Sequence, residues 1–228
     1  MKNLSIKKKL LISFGLVILV PVTIICVIIG MKIRTSSVEG FIDSTSRELS
    51  QVDNAMGFFV NAAKMDVALL ATHPLLAKTD TTLPNYRQTS APTRIDPNEA
   101  GGISKDMHLM FKQMHDNRDA YIEVYMGSKW GGYLSSLVSE MPGGYNPLKR
   151  GWYSKNINTD GLIITPAYMT LSTKAAVFSV VSAVKTAGGD RVGVVGVDVA
   201  LKALTDLVNE IKIGKTGYAM LVRETAPF

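Results

Sequence analysis

The sequence predicts an α+β chain: a long helical region first, then one antiparallel sheet with helices against it. Three observations predict this. Residues 10–31 carry no charge and are flanked by basic residues. From residue 35 to residue 76 apolar residues recur three or four apart, and no proline appears until Pro74. From residue 120 onward the apolar period falls to two, the period of strands.

The first nine residues form a basic tail with Lys2, Lys7, Lys8 and Lys9. The 22 uncharged residues at 10–31 are long enough to span a hydrocarbon core as a helix, a setting that tolerates Pro21, Gly15 and Gly30. A cleaved signal peptide also begins with a basic start and an apolar run. This run is longer than a signal core, and it ends at Gly30, Met31 and Lys32 without a small-x-small cleavage site. An uncleaved signal anchor is therefore expected in the inner membrane, crossing once. Four lysines before the span place its N-terminal end in the cytoplasm. Everything after Arg34 then lies outside, which in a bacterium is the periplasm.

Residues 35–76 read as one long amphipathic stalk helix with Val38, Phe41, Ile42, Leu49, Val52, Met56, Phe59, Ala63, Val67 and Leu70 on its stripe. It is expected to run on through Asp43 and Ser44, and the stripe predicts a homodimer through this helix. Residues 77–102, with Pro84, Pro92 and Pro97, read as an irregular loop. Residues 104–117 regain helical spacing through Met107, Leu109, Met110, Phe111 and Met114, with Ser104 as N-cap.

Strands follow. Tyr121, Glu123 and Tyr125 are expected on one face of the first, with Ile122 and Val124 on the other. A turn at 127–132 leads to a strand at 133–138. Further strands are expected around 167–171, at 175–184 and, after a turn at 188–190, at 191–199. A helix at 200–211 closes the sheet, which has about five strands.

Composition excludes several classes. Six of the 25 basic residues flank the apolar run, which leaves 19 against 19 acidic residues in the remainder. The net charge of +6 is thus a membrane-orientation signal, and no nucleic-acid partner is expected. Cys26 stands alone, and His73, His108 and His115 have no metal-ligand spacing, so neither a metal nor a cofactor is expected. No nucleophile elbow or dinucleotide loop is present, and the Gly214-Lys215-Thr216 run lacks the upstream glycine of a phosphate loop, so catalysis is not expected.

The chemistry is concentrated in residues 145–153, which hold Arg150, Trp152, Tyr145 and Tyr153 just after the turn formers Pro142, Gly143 and Gly144. An Arg fork beside aromatic rings suits a small carboxylate: two parallel N–H bonds fix the anion while the rings exclude water. The same residues also make a plain helix start at Pro147 with a core tryptophan.

The elements together have a PAS-like outline. The basic-flanked span, the long helix, the run at 145–153, Pro166 with Tyr168, and Gly196 with Asp198 resemble the extracytoplasmic sensor of the double Cache family, in particular bacterial methyl-accepting chemotaxis proteins. The resemblance implies that Arg150 and Trp152 hold a ligand carboxylate and that Tyr153 and Asp198 hold its ammonium. Tyr125, Tyr145 and Tyr168 become the aromatic walls. An aspartate between valines on a buried strand also needs a partner on physical grounds. Thr170 departs from the pattern, since amino-acid binders of this type commonly carry a second aspartate there. The ligand class therefore stays open between an amino acid, an amine and a simple carboxylate. The output also stays open: a chemoreceptor, or the same sensor on a histidine kinase or a cyclic-dinucleotide enzyme.

On the same resemblance the distal sensor subdomain covers 77–211. Residues 212–228, with Gly214, Gly217 and Tyr218, resemble the opening strand of a second, membrane-proximal subdomain. A truncated or frameshifted receptor, or a fragment of a longer one, is the expectation.

Overall fold

The computed structural model describes residues 6–96 and 101–209. Contacts divide the chain into two units, Met1–Gln51 and Val52–Phe228.

Helix α1, Ile6–Ala71, contains the whole apolar run and Pro21. It is the one described helix long and apolar enough to cross a membrane. In the first unit the large apolar side chains of the run, among them Leu11, Val17, Leu19 and Ile28, are exposed, as a helix facing lipid requires. The helix passes Asp43 and Ser44 without interruption. It stops at Ala71, five residues before the expected end. Pro74 has no N–H to donate and disfavours helical backbone in the residue before it. His73 is extended instead, its Nδ1 accepting from Leu75 N, and it caps a separate turn, α2, at Pro74–Ala77.

In the second unit, Ala63, Val67 and Leu70 of α1 are buried against the sheet together with Met107 and Phe111 of α3, Gly102–Asp116. The expected cap at Ser104 is replaced by Gly101. Gly101 and Gly102 take φ of 66° and 51°, backbone that glycine adopts without a Cβ clash, so the helix starts two residues early and Ser104 is buried inside it.

The strands of the main sheet are β2 Tyr121–Ser128, β3 Tyr133–Ser135, β5 Leu162–Ile164, β6 Tyr168–Met169, β7 Ala176–Lys185 and β8 Arg191–Ala200. The sheet is antiparallel throughout, with the order β3-β2-β8-β7-β5 and β6 beside β7. Six strands stand where about five were expected. The extra one, β5, is three residues long, too short to show a period of two. The region expected as a pure loop contains β1, Thr93–Ile95, which pairs with β4, Ser139–Met141, in a separate small sheet. Residues expected as one strand at 133–138 thus divide: β3 stays in the main sheet and β4 joins the small one. Helix α5, Leu201–Asn209, follows β8. The expected strand at 214–222 and the end of the last helix lie outside the described residues.

Alternation on β2 also differs from expectation. A bulge between Tyr121 and Glu123 in the pairing with β8 puts Tyr121 on the helix side with Val124 and Met126, while Tyr125 faces the other way. Tyr121 there donates its hydroxyl to Asp66 of α1, which also receives both arms of Arg118 at 3.0 and 3.2 Å. The start of β2 is therefore tied to the end of the long helix.

The sheet separates two clusters. Helices cover one face, over Val195, Val197 and Val199 of β8. The other face carries Tyr125, Tyr133, Tyr145, Trp152 and Tyr153 with Val181 and Val194.

Candidate functional site

The site is built by two short turns laid across the aromatic face of the sheet. Asn146 accepts from Leu148 N at 3.0 Å and starts a 3-10 turn, Pro147–Lys149. Helix α4, Gly151–Ser154, begins two residues later, and Arg150 between them is extended. Arg150 uses its N–H to close the first turn on Pro147 O. Its side chain makes no cap hydrogen bond. Asn156 holds the far end by donating to Trp152 O at 2.7 Å.

Two glycines let these rings approach the strands closely. A Cβ at Gly127 would stand 2.9 Å from the Trp152 ring, and one at Gly196 would stand 2.9 Å from the Tyr125 ring. With hydrogen in those places, Tyr125 and Trp152 meet edge to face at 4.8 Å, and Trp152 meets Tyr153 at 5.7 Å. Such pairs each add ~0.5–1.5 kcal/mol beyond their buried area.

Between turns and sheet lie two adjoining cavities. The outer one, about 370 Å³, is walled by Ile163, Pro166 and Met169 and carries Lys149 and Lys155. The inner one, about 20 Å³, is lined by Glu123, Asp198, Tyr125, Tyr133, Tyr145 and Thr170. Arg150, Trp152 and Tyr168 line both and form the passage between them. The inner space is close to one water or one ammonium group in size.

The two cavities have opposite charge. Cations alone occur among the charged lining residues of the outer one, whereas Glu123 and Asp198 stand side by side in the inner one. Asp198 Oδ1 accepts from Ser179 Oγ at 2.7 Å and Tyr168 OH at 2.9 Å. Burial pushes its pKa up to about 7, and the neighbouring Glu123 charge adds to that rise. Glu123 accepts from Tyr133 OH at 2.7 Å, from Ser135 Oγ, and from Ser172 Oγ at 2.6 Å. Burial raises the Tyr125, Tyr133 and Tyr145 phenols well above their usual range, so all three are neutral hydrogen-bonding walls. Arg150 partly offsets the rise at Tyr145. Among the described residues Arg150 has no ion-pair partner.

Of the residues singled out from sequence, Tyr125, Tyr145, Arg150, Trp152, Tyr168, Thr170 and Asp198 line this double cavity. Tyr153 lines neither part: it is buried behind Trp152, and its ring touches the Gly127 position. The Thr170 hydroxyl is engaged locally, 2.8 Å from Thr173 Oγ1 and 3.1 Å from Ala175 N, which donates to it. Sequence reasoning missed Glu123 and Tyr133 as site residues. A signal existed for the first, a lone carboxylate on an otherwise apolar strand two residues before Tyr125.

Known proteins agree with this architecture. Residues 104–206 match the family model for the first PDC sensor domain of methyl-accepting chemotaxis protein-like proteins. Methyl-accepting chemotaxis protein McpG of Pseudomonas putida is 35% identical over 105 residues, 46% of this chain and 16% of that protein. McpB of Bacillus subtilis is 23% identical over 242 residues, spanning all of this chain and 31% of that protein. The chain thus spans less than a third of the length of these relatives. Among solved structures, the ligand-binding domain of the Campylobacter jejuni chemoreceptor Tlp3, in complex with L-valine, superposes with a TM-score of 0.59 at 21% identity. It covers 78% of this chain and 67% of that one. The ligand-binding domain of the Pseudomonas aeruginosa amino-acid chemoreceptor PctC, in complex with GABA, gives 0.55 at 19% identity, covering 71% and 65%. At these identities the superpositions establish a shared fold.

Proposed function

We propose that the chain, whose residues 104–206 match the model for the first PDC sensor domain of methyl-accepting chemotaxis protein-like proteins, is the ligand-sensing part of a transmembrane chemoreceptor. Its ligand is a small amino acid or a related amine or carboxylate. The observation that carries this is the double cavity, with buried acids at its depth and Arg150 beside Trp152 at the passage. A zwitterion fits that polarity, ammonium inward and carboxylate toward the guanidinium. Arg150 and Trp152 take the carboxylate, Asp198 the ammonium, and Tyr125, Tyr145 and Tyr168 wall the ligand. Tyr153 supports Trp152, and Thr170 shapes the chamber.

The remaining assignments belong to the same reading. Residues 1–9 are a cytoplasmic tail, 10–31 an inner-membrane span, 35–76 a stalk, 77–211 a periplasmic sensor, and the helix associates two copies. In this reading the chain takes no cofactor and acts by binding its ligand rather than by catalysis. Ligand acts by binding two conformations of the sensor unequally, and the difference is the free energy available for signalling. The relatives named above are all chemotaxis proteins, which favours that output over a kinase or a cyclic-dinucleotide enzyme.

The test is a thermal-shift screen of the full chain in detergent against amino acids, amines and small carboxylates, with Arg150→Ala in parallel. A ligand at 100 times its Kd is expected to raise the melting temperature by about 5–10 °C. The shift should disappear for carboxylate ligands in Arg150→Ala. A cooperatively melting protein that no compound shifts would overturn the reading.

A further inference from the structure

Glu123 has no role in the site as inferred from sequence, yet it is the more heavily hydrogen-bonded of the two acids. We propose that Glu123 fixes the ligand class: with Asp198 it forms a two-carboxylate pole that requires a primary ammonium and rejects ligands whose polar group is a carboxylate alone. This rests on reading the double cavity as the ligand site.

The two residues are direct cross-strand partners, Glu123 on β2 opposite Asp198 on β8. Side chains paired in this way on one face stand within ~5.5 Å of each other at Cβ, and like charges so placed repel. Both are buried, at 2% and 3% exposure, and neither forms an ion pair among the described residues. A folded chain keeps two unneutralised buried acids side by side at a cost, and a cation in the space between them removes that cost.

The surroundings narrow which cation. Glu123 is held from three sides by hydroxyls of Tyr133, Ser135 and Ser172, which come from β3 and from the loop after β6. Asp198 is held from β7 and β6 by Ser179 and Tyr168. Both acids are thus oriented without a cation having oriented them. The inner chamber, about 20 Å³, has room for an ammonium group and not for a guanidinium with its stem. An ammonium has three donors, enough for both acids and one further acceptor. Its charge also suits the faces of Tyr125 and Trp152. Thr170 cannot supply the second charge, being neutral and bonded within its own turn. Arg150, which lines the passage, remains for a carboxylate on the same ligand.

Three probes of one skeleton separate the possibilities: L-alanine, propionate, which lacks the amine, and ethylamine, which lacks the carboxylate. If the skeleton is too small, L-valine, isovalerate and isobutylamine replace them. Calorimetric titration is done on the full chain in detergent, wild type and Glu123→Gln. In wild type the amino acid is expected to bind at least ~100-fold tighter than its deaminated carboxylate, and the amine to retain measurable binding. In Glu123→Gln that ratio is expected to fall to within ~10-fold, mainly by loss of amino-acid affinity. Glu123→Asp keeps the charge on a shorter stem and should keep the preference at reduced affinity. It serves if the Gln variant fails to fold. Wild type that binds amino acid and carboxylate alike overturns the inference and leaves the cavity as a ligand site. So does a Glu123→Gln protein with an unchanged ratio. Absence of binding by every probe in wild type overturns both.

Discussion

The two faces of the sheet are made from the same strands and do opposite things. On β8, Val195, Val197 and Val199 point to the helices and are fully buried in an apolar cluster. The residues between them, Gly196 and Asp198, face the aromatic side, where one is bare hydrogen and the other a carboxylate. One face is packed for stability. The other gives up side-chain volume at Gly127 and Gly196 and solvation at Glu123 and Asp198 to leave a charged space. The proposed ligand site sits where the packing rule is broken.

The contrast can be broken most severely on the helix side. Phe111→Ala should cost ~3–5 kcal/mol in denaturant unfolding, because it opens a cavity in the fully buried cluster. Ligand affinity measured below the new transition should change little. Equal losses in both would mean that the faces are not independent.

On the site side, Arg150→Ala should lower affinity for a carboxylate-bearing ligand by ~10–100-fold in titration. The melting temperature without ligand should barely move, since no ion pair is lost. Gly127→Ala sets a methyl against the Trp152 ring and should cost ~1–3 kcal/mol of stability together with binding.

Asp198 makes the difference titratable. Its pKa is raised to about 7, so the folded chain holds this proton more tightly than the unfolded chain does. Its contribution is therefore present below the ordinary carboxylate range and is lost as pH rises to about 7. Melting temperatures without ligand between pH 4 and 8 should fall more steeply in wild type than in Asp198→Asn. Parallel curves would remove the buried acid from the account. The smallest effect is expected at Arg118→Ala, below ~1 kcal/mol, because this half-exposed guanidinium is screened and Tyr121 still bonds Asp66.

Much of the fold is legible in local pattern. The uncharged run, the long helix and the valine-rich strands at 176–185 and 191–200 announce themselves because each satisfies its own period over ten residues or more. Short pieces do not. Strands of two or three residues such as β1, β5 and β6 exist only because a partner strand offers hydrogen bonds, and the partner of Thr93–Ile95 lies more than 40 residues away. Arg150 and Trp152 stood out in sequence as a guanidinium beside rings, a pattern that also fits a plain helix start with a core tryptophan, and the structure places both against the cavities. Glu123 was visible as a charge on an apolar strand, but its meaning depends on what stands opposite.

The sequence alone thus determined the order and type of the long elements, the membrane-type apolar run, and the placing of Arg150 and Trp152 among the residues that line the cavities. Those properties follow from neighbours a few positions apart. Tertiary structure decided the rest. The bulge after Tyr121 sent that side chain to the helices while Tyr125 faced the cavity, Tyr153 went behind Trp152, and β-pairing set Glu123 against Asp198. A cross-strand contact is fixed by register between distant segments, and no local period encodes register.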